Sequence, residues 1–260
     1  MRLLRFAVLA VTGALFASCL VSTAAICPGW RCGDRASSAA MTAVDAALLV
    51  VGVLAAAVVA RAGWLTWRGR RSLATLPPVR GRDGIVARRR LGGRARLTGG
   101  AGVAFCTGLV RPRPYLSLDV VDALDDDELE AVLIHERRHA LRRDPLRRVV
   151  RRALADVLWF APAVAWWAEQ RIRREEMAAD AEAVSQVGRR PVARALLKLW
   201  ASPEDDVFSA AYGDAAAARV ACLLGDPPAP DRVPRRLLIT SVAAAVASIP
   251  LGICIATLIV

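Results

Sequence analysis

Three long apolar runs decide what this chain of 260 residues can fold into. From Leu3 to Ile26 only Arg5 and small hydroxyls interrupt the hydrocarbon, Ala39 to Ala60 carries one ionisable residue, Asp45, and Leu237 to Val260 closes the sequence. At about 1.5 Å of helix per residue, each run can cross a bilayer core about 30 Å thick. The chain is 55% hydrophobic yet carries a net charge of +12, which membrane spans set among basic loops produce together and a single soluble domain rarely does. The first run also meets part of the description of a signal peptide, with Ser22-Thr23-Ala24-Ala25 as small cleavage-site residues, but its apolar stretch is longer than such peptides need. Transmembrane helices are therefore predicted over 1–26, 39–60 and 237–260.

Arginine placement sets the orientation. Arg2 and Arg5 precede the first run, Arg61, Arg68, Arg70 and Arg71 follow the second, and Arg232, Arg235 and Arg236 precede the third. The positive-inside rule puts all three clusters in the cytoplasm. The expected protein is a multi-pass resident of the cell membrane, with its N-terminus and its long middle inside and its C-terminus outside. The loop 27–38 then faces outward, where Cys27 and Cys32, with Pro28 and Gly29 to turn the chain, can form a small disulfide. Cys19, Cys254, Cys106 and Cys222 read as small apolar fillers. The basic excess reads as topology and attraction to anionic lipid of the bilayer, and no recognition-helix or zinc-finger pattern argues for nucleic acid as a partner.

Residues 61–100, rich in arginine, glycine and proline, read as a basic connector along the membrane surface. From 101 to 236 the pattern is that of a mixed α+β domain. Val103-Ala104-Phe105 and Tyr115-Leu116-Ser117 are β-prone and flank the turn-like Arg111-Pro112-Arg113-Pro114. They form either an edge strand that an extended substrate can join or a hairpin that covers a helix core. Asp125 or Asp126 then caps a helix, with Glu128 completing a capping box after Asp125, and Leu129, Val132, Leu133 and Ala140 supply the apolar stripe. That helix is predicted to end near Asp144-Pro145. The aromatic stretch 157–168, with Trp159, Phe160, Trp166 and Trp167, is short for a span and suits the membrane interface.

The chain has two histidines, His135 and His139, in the string His135-Glu136-Arg137-Arg138-His139. Side chains four apart share a helix face, so both imidazoles can reach one zinc ion (Zn2+) while the Glu136 carboxylate acts as general base on water. The competing interpretation is a solvated helix that carries two histidines by accident. A tetrahedral zinc with one open position needs a third protein ligand. Glu176 and Asp180, again four apart, supply a candidate ligand and a candidate group to orient a ligating imidazole. Taken alone, that pair also fits a solvated acidic patch balancing Arg171, Arg173 and Arg174. If 157–168 crossed the bilayer once, Glu176 would be stranded from the histidines, so the stretch is expected to be re-entrant around Pro162 or interfacial.

The arrangement resembles the membrane zinc metallopeptidases of the BlaR/MecR antirepressor type. The likeness rests on Phe105-Cys106-Thr107-Gly108-Leu109-Val110-Arg111-Pro112-Arg113, on Asp127-Glu128-Leu129 leading into the histidine motif, and on Arg143-Asp144-Pro145-Leu146 after it. Trp159-Phe160 with Pro162, Trp166-Trp167, and Glu176 with Asp180 complete it over most of Ala101 to Asp180, and Arg219-Val220-Ala221-Cys222-Leu223-Leu224 also fits. Ala179 stands where the family often has cysteine, which touches no ligand. By this resemblance His135, His139 and Glu176 bind zinc and Glu136 is the general base. No penicillin-binding sensor domain follows the third apolar run before Val260, so β-lactam sensing in the manner of the antibiotic receptors is not expected. A similar core occurs in heat-shock membrane proteases of the HtpX type, but a final span placed after the zinc domain favours the antirepressor family.

The fold class expected is a mainly α membrane protein, with three transmembrane helices and a cytoplasmic α+β zincin-like domain bearing an interfacial or re-entrant aromatic hairpin. The function expected is a membrane-anchored zinc endopeptidase acting on a cytoplasmic regulatory protein, such as a winged-helix transcriptional repressor, or on itself. The alternatives are an HtpX-like protease of membrane-protein quality control and a non-catalytic scaffold or signal transducer.

Overall fold

The computed structural model describes residues 35–99, 102, 104–200, 218–226, 232–244 and 246, and over these the chain is mostly helical with one small sheet. The run expected as the first span, the loop cysteines Cys27 and Cys32, and most of the third apolar run lie outside the described residues. The elements in order are α1 (Arg35–Ala74), α2 (Arg82–Leu91), β1 (Arg96–Thr98), β2 (Ala104–Thr107), β3 (Arg113–Ser117), α3 (Leu118–Ala123), α4 (Asp126–Arg142), α5 (Asp144–Val157), α6 (Pro162–Val187) and α7 (Arg189–Trp200). Short helices follow over 218–224 and 235–244. The chain divides into two compact units.

One unit comprises Met1–Arg68, Val150–Trp166 and Val233–Val260. Its helix α1 starts at Arg35, earlier than the predicted Ala39, and runs past Ala60 without a break. No proline intervenes before Pro77, and arginine is a good helix former, so the basic stretch expected as connector continues the helix instead. Leu48–Ala74 is long and apolar enough to cross a membrane, one such helix among the described residues. Leu48, Leu49, Val51 and Val53 are exposed on it, as a lipid-facing surface requires. Arg61 and Arg68 stack over Trp64 at 4.4 and 5.3 Å, a cation–π arrangement suited to the water interface. Arg61 Nε also donates to Asp156 Oδ2 at 2.7 Å, while Arg152 approaches Oδ1 of the same carboxylate at 2.9 Å.

The aromatic stretch 157–168 resolves into the end of α5, a turn over 158–160, Ala161 and the start of α6 at Pro162. Proline suits a first helical turn because it has no N–H to leave unpaired. The next orphan donor, Ala163 N–H, is capped by Ser241 Oγ at 3.0 Å.

The other unit comprises Gly69–Val149 and Trp167–Arg232. Its sheet has the order β1-β3-β2, with β1 parallel and β2 antiparallel to the central β3. The β2–β3 pairing opposes Ala104 to Leu116 and Thr107 to Arg113. Gly108 turns the chain between them at φ 113°, where a Cβ would stand 2.8 Å from the Arg111 carbonyl oxygen. The predicted hairpin is therefore present, and β2 is an edge strand of the described sheet.

Helix α4 joins both hydrophobic clusters of this unit. Leu129, Val132 and Leu133 pack with Leu91, Leu116 and Val121, whereas Ala131 and Ile134 pack with Ala183, Val192, Leu196 and Leu223. Burial of each large aliphatic side chain contributes about 1.5–3 kcal/mol. The helix begins as its sequence predicts: Asp125 accepts from Glu128 N–H at 2.8 Å, and Glu128 returns a bond to Asp125 N–H at 3.0 Å. It ends at Arg142, because Arg143 adopts a left-handed conformation (φ 55°), and Asp144-Pro145 opens α5.

Candidate metal centre

Two apolar clusters hold α4 on either flank, and its remaining face carries His135, Glu136 and His139 into the interior, where all three are buried. The i, i+4 spacing sets the two rings edge to face, with centroids 4.8 Å apart. Each imidazole is tied through Nδ1 to a different carboxylate. His135 Nδ1 lies 2.9 Å from Asp180 Oδ1, and His139 Nδ1 lies 2.8 Å from Asp144 Oδ2. A carboxylate only accepts, so the proton sits on each Nδ1 and both Nε2 atoms turn toward one another, 3.1 Å apart.

Helix α6 brings Glu176 to that point from the other side. Its Oε2 is 3.4 Å from His135 Nε2 and its Oε1 is 3.4 Å from His139 Nε2. Ligand atoms of His135, His139 and Glu176 all lie within 4.8 Å of one another. Around a tetrahedral zinc, atoms held at about 2.0–2.1 Å stand about 3.3–3.4 Å apart. The three residues therefore fit a zinc-sized ion, and their buried nitrogen and carboxylate donors suit its chemistry.

Two arginines frame the acids. Arg148, on α5, bonds Glu176 Oε1 and approaches Glu175 Oε2 at 3.4 Å. Arg219, on the short helix over 218–224, donates Nε and Nη2 to the two oxygens of Asp180 at 2.7 and 2.8 Å, and its Nη1 lies 3.3 Å from Glu176 Oε2.

This setting moves the titrations in opposite directions. Burial alone would depress His135, but its bonds to Asp180 and Glu176 outweigh that and hold it up at about 9. Burial, helped by the His135 charge, pushes His139 down instead. Glu176 and Asp180 both fall below the ordinary carboxylate range: burial opposes the shift, and the bonds to His135 overcome it in each case, with Arg219 adding to the effect at Asp180. Glu136 goes the other way, raised by burial. Cys106, on β2, is pushed up to about 12 by burial and then by the Glu136 charge, so it is a neutral thiol at pH 7.

Every site residue picked out by the sequence, His135, Glu136, His139, Glu176 and Asp180, is thus brought into one buried cluster. Three participants carry no such role in the sequence reading. Asp144 stands there as a helix stop and as part of the matching string Arg143-Asp144-Pro145-Leu146, Arg219 as part of another such string, and Arg148 is not singled out. Asp144 had a signal available only together with the helix stop, because a carboxylate past a helix end can turn back to support the Nδ1 of the second histidine.

The family model for BlaR1 peptidase M56 matches residues 33–219, more than half of the chain. No curated protein and no solved structure matches.

Proposed function

Since the chain belongs to the BlaR1 peptidase M56 family of membrane-associated metallopeptidases, we propose that it is a membrane-anchored zinc endopeptidase in which His135, His139 and Glu176 hold the metal and Glu136 is the general base. The observation that carries this reading is the convergence of both Nε2 atoms and the Glu176 carboxylate on one buried point. A scaffold would have no use for two imidazoles whose outer nitrogens are each fixed by a carboxylate.

A zinc ion held there supplies a Lewis acid for the scissile carbonyl and lowers the pKa of water. Asp180 and Asp144 keep the imidazoles in the tautomer that offers Nε2. A Glu136 oxygen takes the proton from the attacking water as its oxygen bonds to the carbonyl carbon, then delivers that proton to the departing amide nitrogen as the C–N bond breaks. Its raised proton affinity suits both halves of that transfer. The substrate binds as an extended strand along β2, the edge strand whose Cys106 lies close enough to Glu136 to feel its charge.

The anchoring follows the arginine clusters: three spans with the N-terminus inside, the aromatic turn dipping into or lying on the inner leaflet, and the catalytic domain over 101–236 in the cytoplasm. The substrate class is a cytoplasmic regulatory protein, a winged-helix repressor or the enzyme itself, and the role is signal transduction. The test is the Glu136→Gln variant purified in detergent beside the wild type. Stoichiometric zinc in both, with regulator fragments produced in cells by the wild type alone, is the expected result; cleavage by the variant would remove the base, and zinc-free wild type would remove the metal reading.

A further inference from the structure

Arg219 lies 39 residues from Asp180 in sequence, yet it meets both oxygens of that carboxylate and reaches Glu176 with its remaining nitrogen. We infer that Arg219 is a positioning residue of the metal centre, fixing Asp180, and through it the His135 ring, together with the Glu176 carboxylate. This rests on the zinc-peptidase reading and adds to it a residue that never contacts the ion.

The argument starts from how Arg219 is held. Leu223, one turn further along the same short helix, is buried against Ala131 and Ile134 of α4, Ala183 of α6, and Val192 and Leu196 of α7. Residues four apart share a face, so seating Leu223 aims Arg219 at α6. There Asp180 and Glu176 are themselves four apart on one face, and a planar guanidinium can serve both acids at once. Asp180 Oδ1 is shared between Arg219 Nη2 and His135 Nδ1. Without Arg219 the carboxylate keeps its bond to His135 but loses the fork that fixes its plane, and Glu176 loses a neighbouring positive charge. Lysine restores the charge but not the fork.

The experiment measures zinc affinity by chelator competition for full-length protein in detergent, comparing wild type with Arg219→Ala, Arg219→Lys, Asp180→Asn and Leu91→Ala. Loss of an outer partner of a metal-binding imidazole lowers affinity by about 10–100-fold, which is the result expected for Arg219→Ala and for Asp180→Asn. Arg219→Lys should fall between Arg219→Ala and wild type. Leu91→Ala, which truncates a core contact in the other hydrophobic cluster, away from the helix of Arg219, should lower the Tm yet keep zinc affinity within about threefold of wild type. The double variant Arg219→Ala with Asp180→Asn should lose less than the product of the two single losses, because part of the effect of Arg219 passes through Asp180. Wild-type affinity in Arg219→Ala and Arg219→Lys, equal losses in Leu91→Ala and Arg219→Ala, or fully multiplying losses in the double variant would overturn the inference while leaving the peptidase reading intact. A wild-type protein that binds no zinc would remove both.

Discussion

Asp144 Oδ2 meets His139 Nδ1 at 2.8 Å from beyond the end of the helix that carries the histidine. Had α4 continued, a residue five places on would point away from His139. The left-handed Arg143 breaks the helix and returns the next residue toward the ring. Asp144→Ala should therefore lower zinc affinity about 10–100-fold and leave the His139 Nδ1–H without a buried acceptor. Chelator competition reads the first effect and circular dichroism checks that the helices persist; unchanged affinity would mean that Asp144 serves only the helix break.

What the sequence revealed and what it hid divide along the range of the interactions. The capping box of Asp125 and Glu128 was legible because both partners lie within one turn, and the pairs His135/His139 and Glu176/Asp180 because helical period alone puts four-apart residues on one face. β1 stayed hidden in the basic connector because Arg96-Leu97-Thr98 is a strand only by virtue of parallel pairing with Tyr115-Leu116-Ser117, and no local pattern encodes that partner. Arg219 reads as one arginine among many until α6 and α7 assemble the pocket for Leu223. Asp144 carried two signals, helix stop and histidine partner, and the adjacent proline drew the reading to the first.

Cys106 lies close enough to Glu136 to feel its charge, yet its thiol is held protonated. Burial, and then the neighbouring carboxylate, push its thiol up to about 12, so the thiolate is scarce at neutral pH. The folded protein should resist iodoacetamide at this position at about pH 8 and react in denaturant at the rate of an ordinary cysteine of pKa about 8.5. Mass spectrometry of the Cys106 peptide makes the comparison, and equal labelling in the two states would contradict the burial.

Asp156 accepts from Arg61 on α1 and Arg152 on α5, a partly buried three-residue network beside the aromatic turn. Charge-assisted bonds of this kind contribute about 1.5–3 kcal/mol when dry, and the part-exposure of both arginines reduces that to about 1 kcal/mol here. Asp156→Ala should lower the Tm in detergent by a few degrees, and Arg61→Ala should cost less in that background than in the wild type, because only its stacking on Trp64 is then left to lose. Fully additive losses in thermal melts of the two single variants and the double would argue that Arg61 and Asp156 are independent.

Metal removal should expose the proton that His135 holds. With no ion present its folded value, about 9, exceeds the ordinary 6.5, so the metal-free protein draws stability from protonated His135. That contribution is complete below about pH 6.5 and is lost as pH rises through about 9. Zinc must displace the same proton, so its affinity should climb across the window in which the metal-free protein weakens. Thermal melts of chelator-stripped protein should show Tm falling between about pH 6.5 and about 9, with His135→Gln abolishing most of that slope. A pH-independent Tm in the stripped wild type, together with zinc affinity flat over the same range, would show that His135 is neutral before the ion arrives, and that Asp180 and Glu176 do not hold a proton on it.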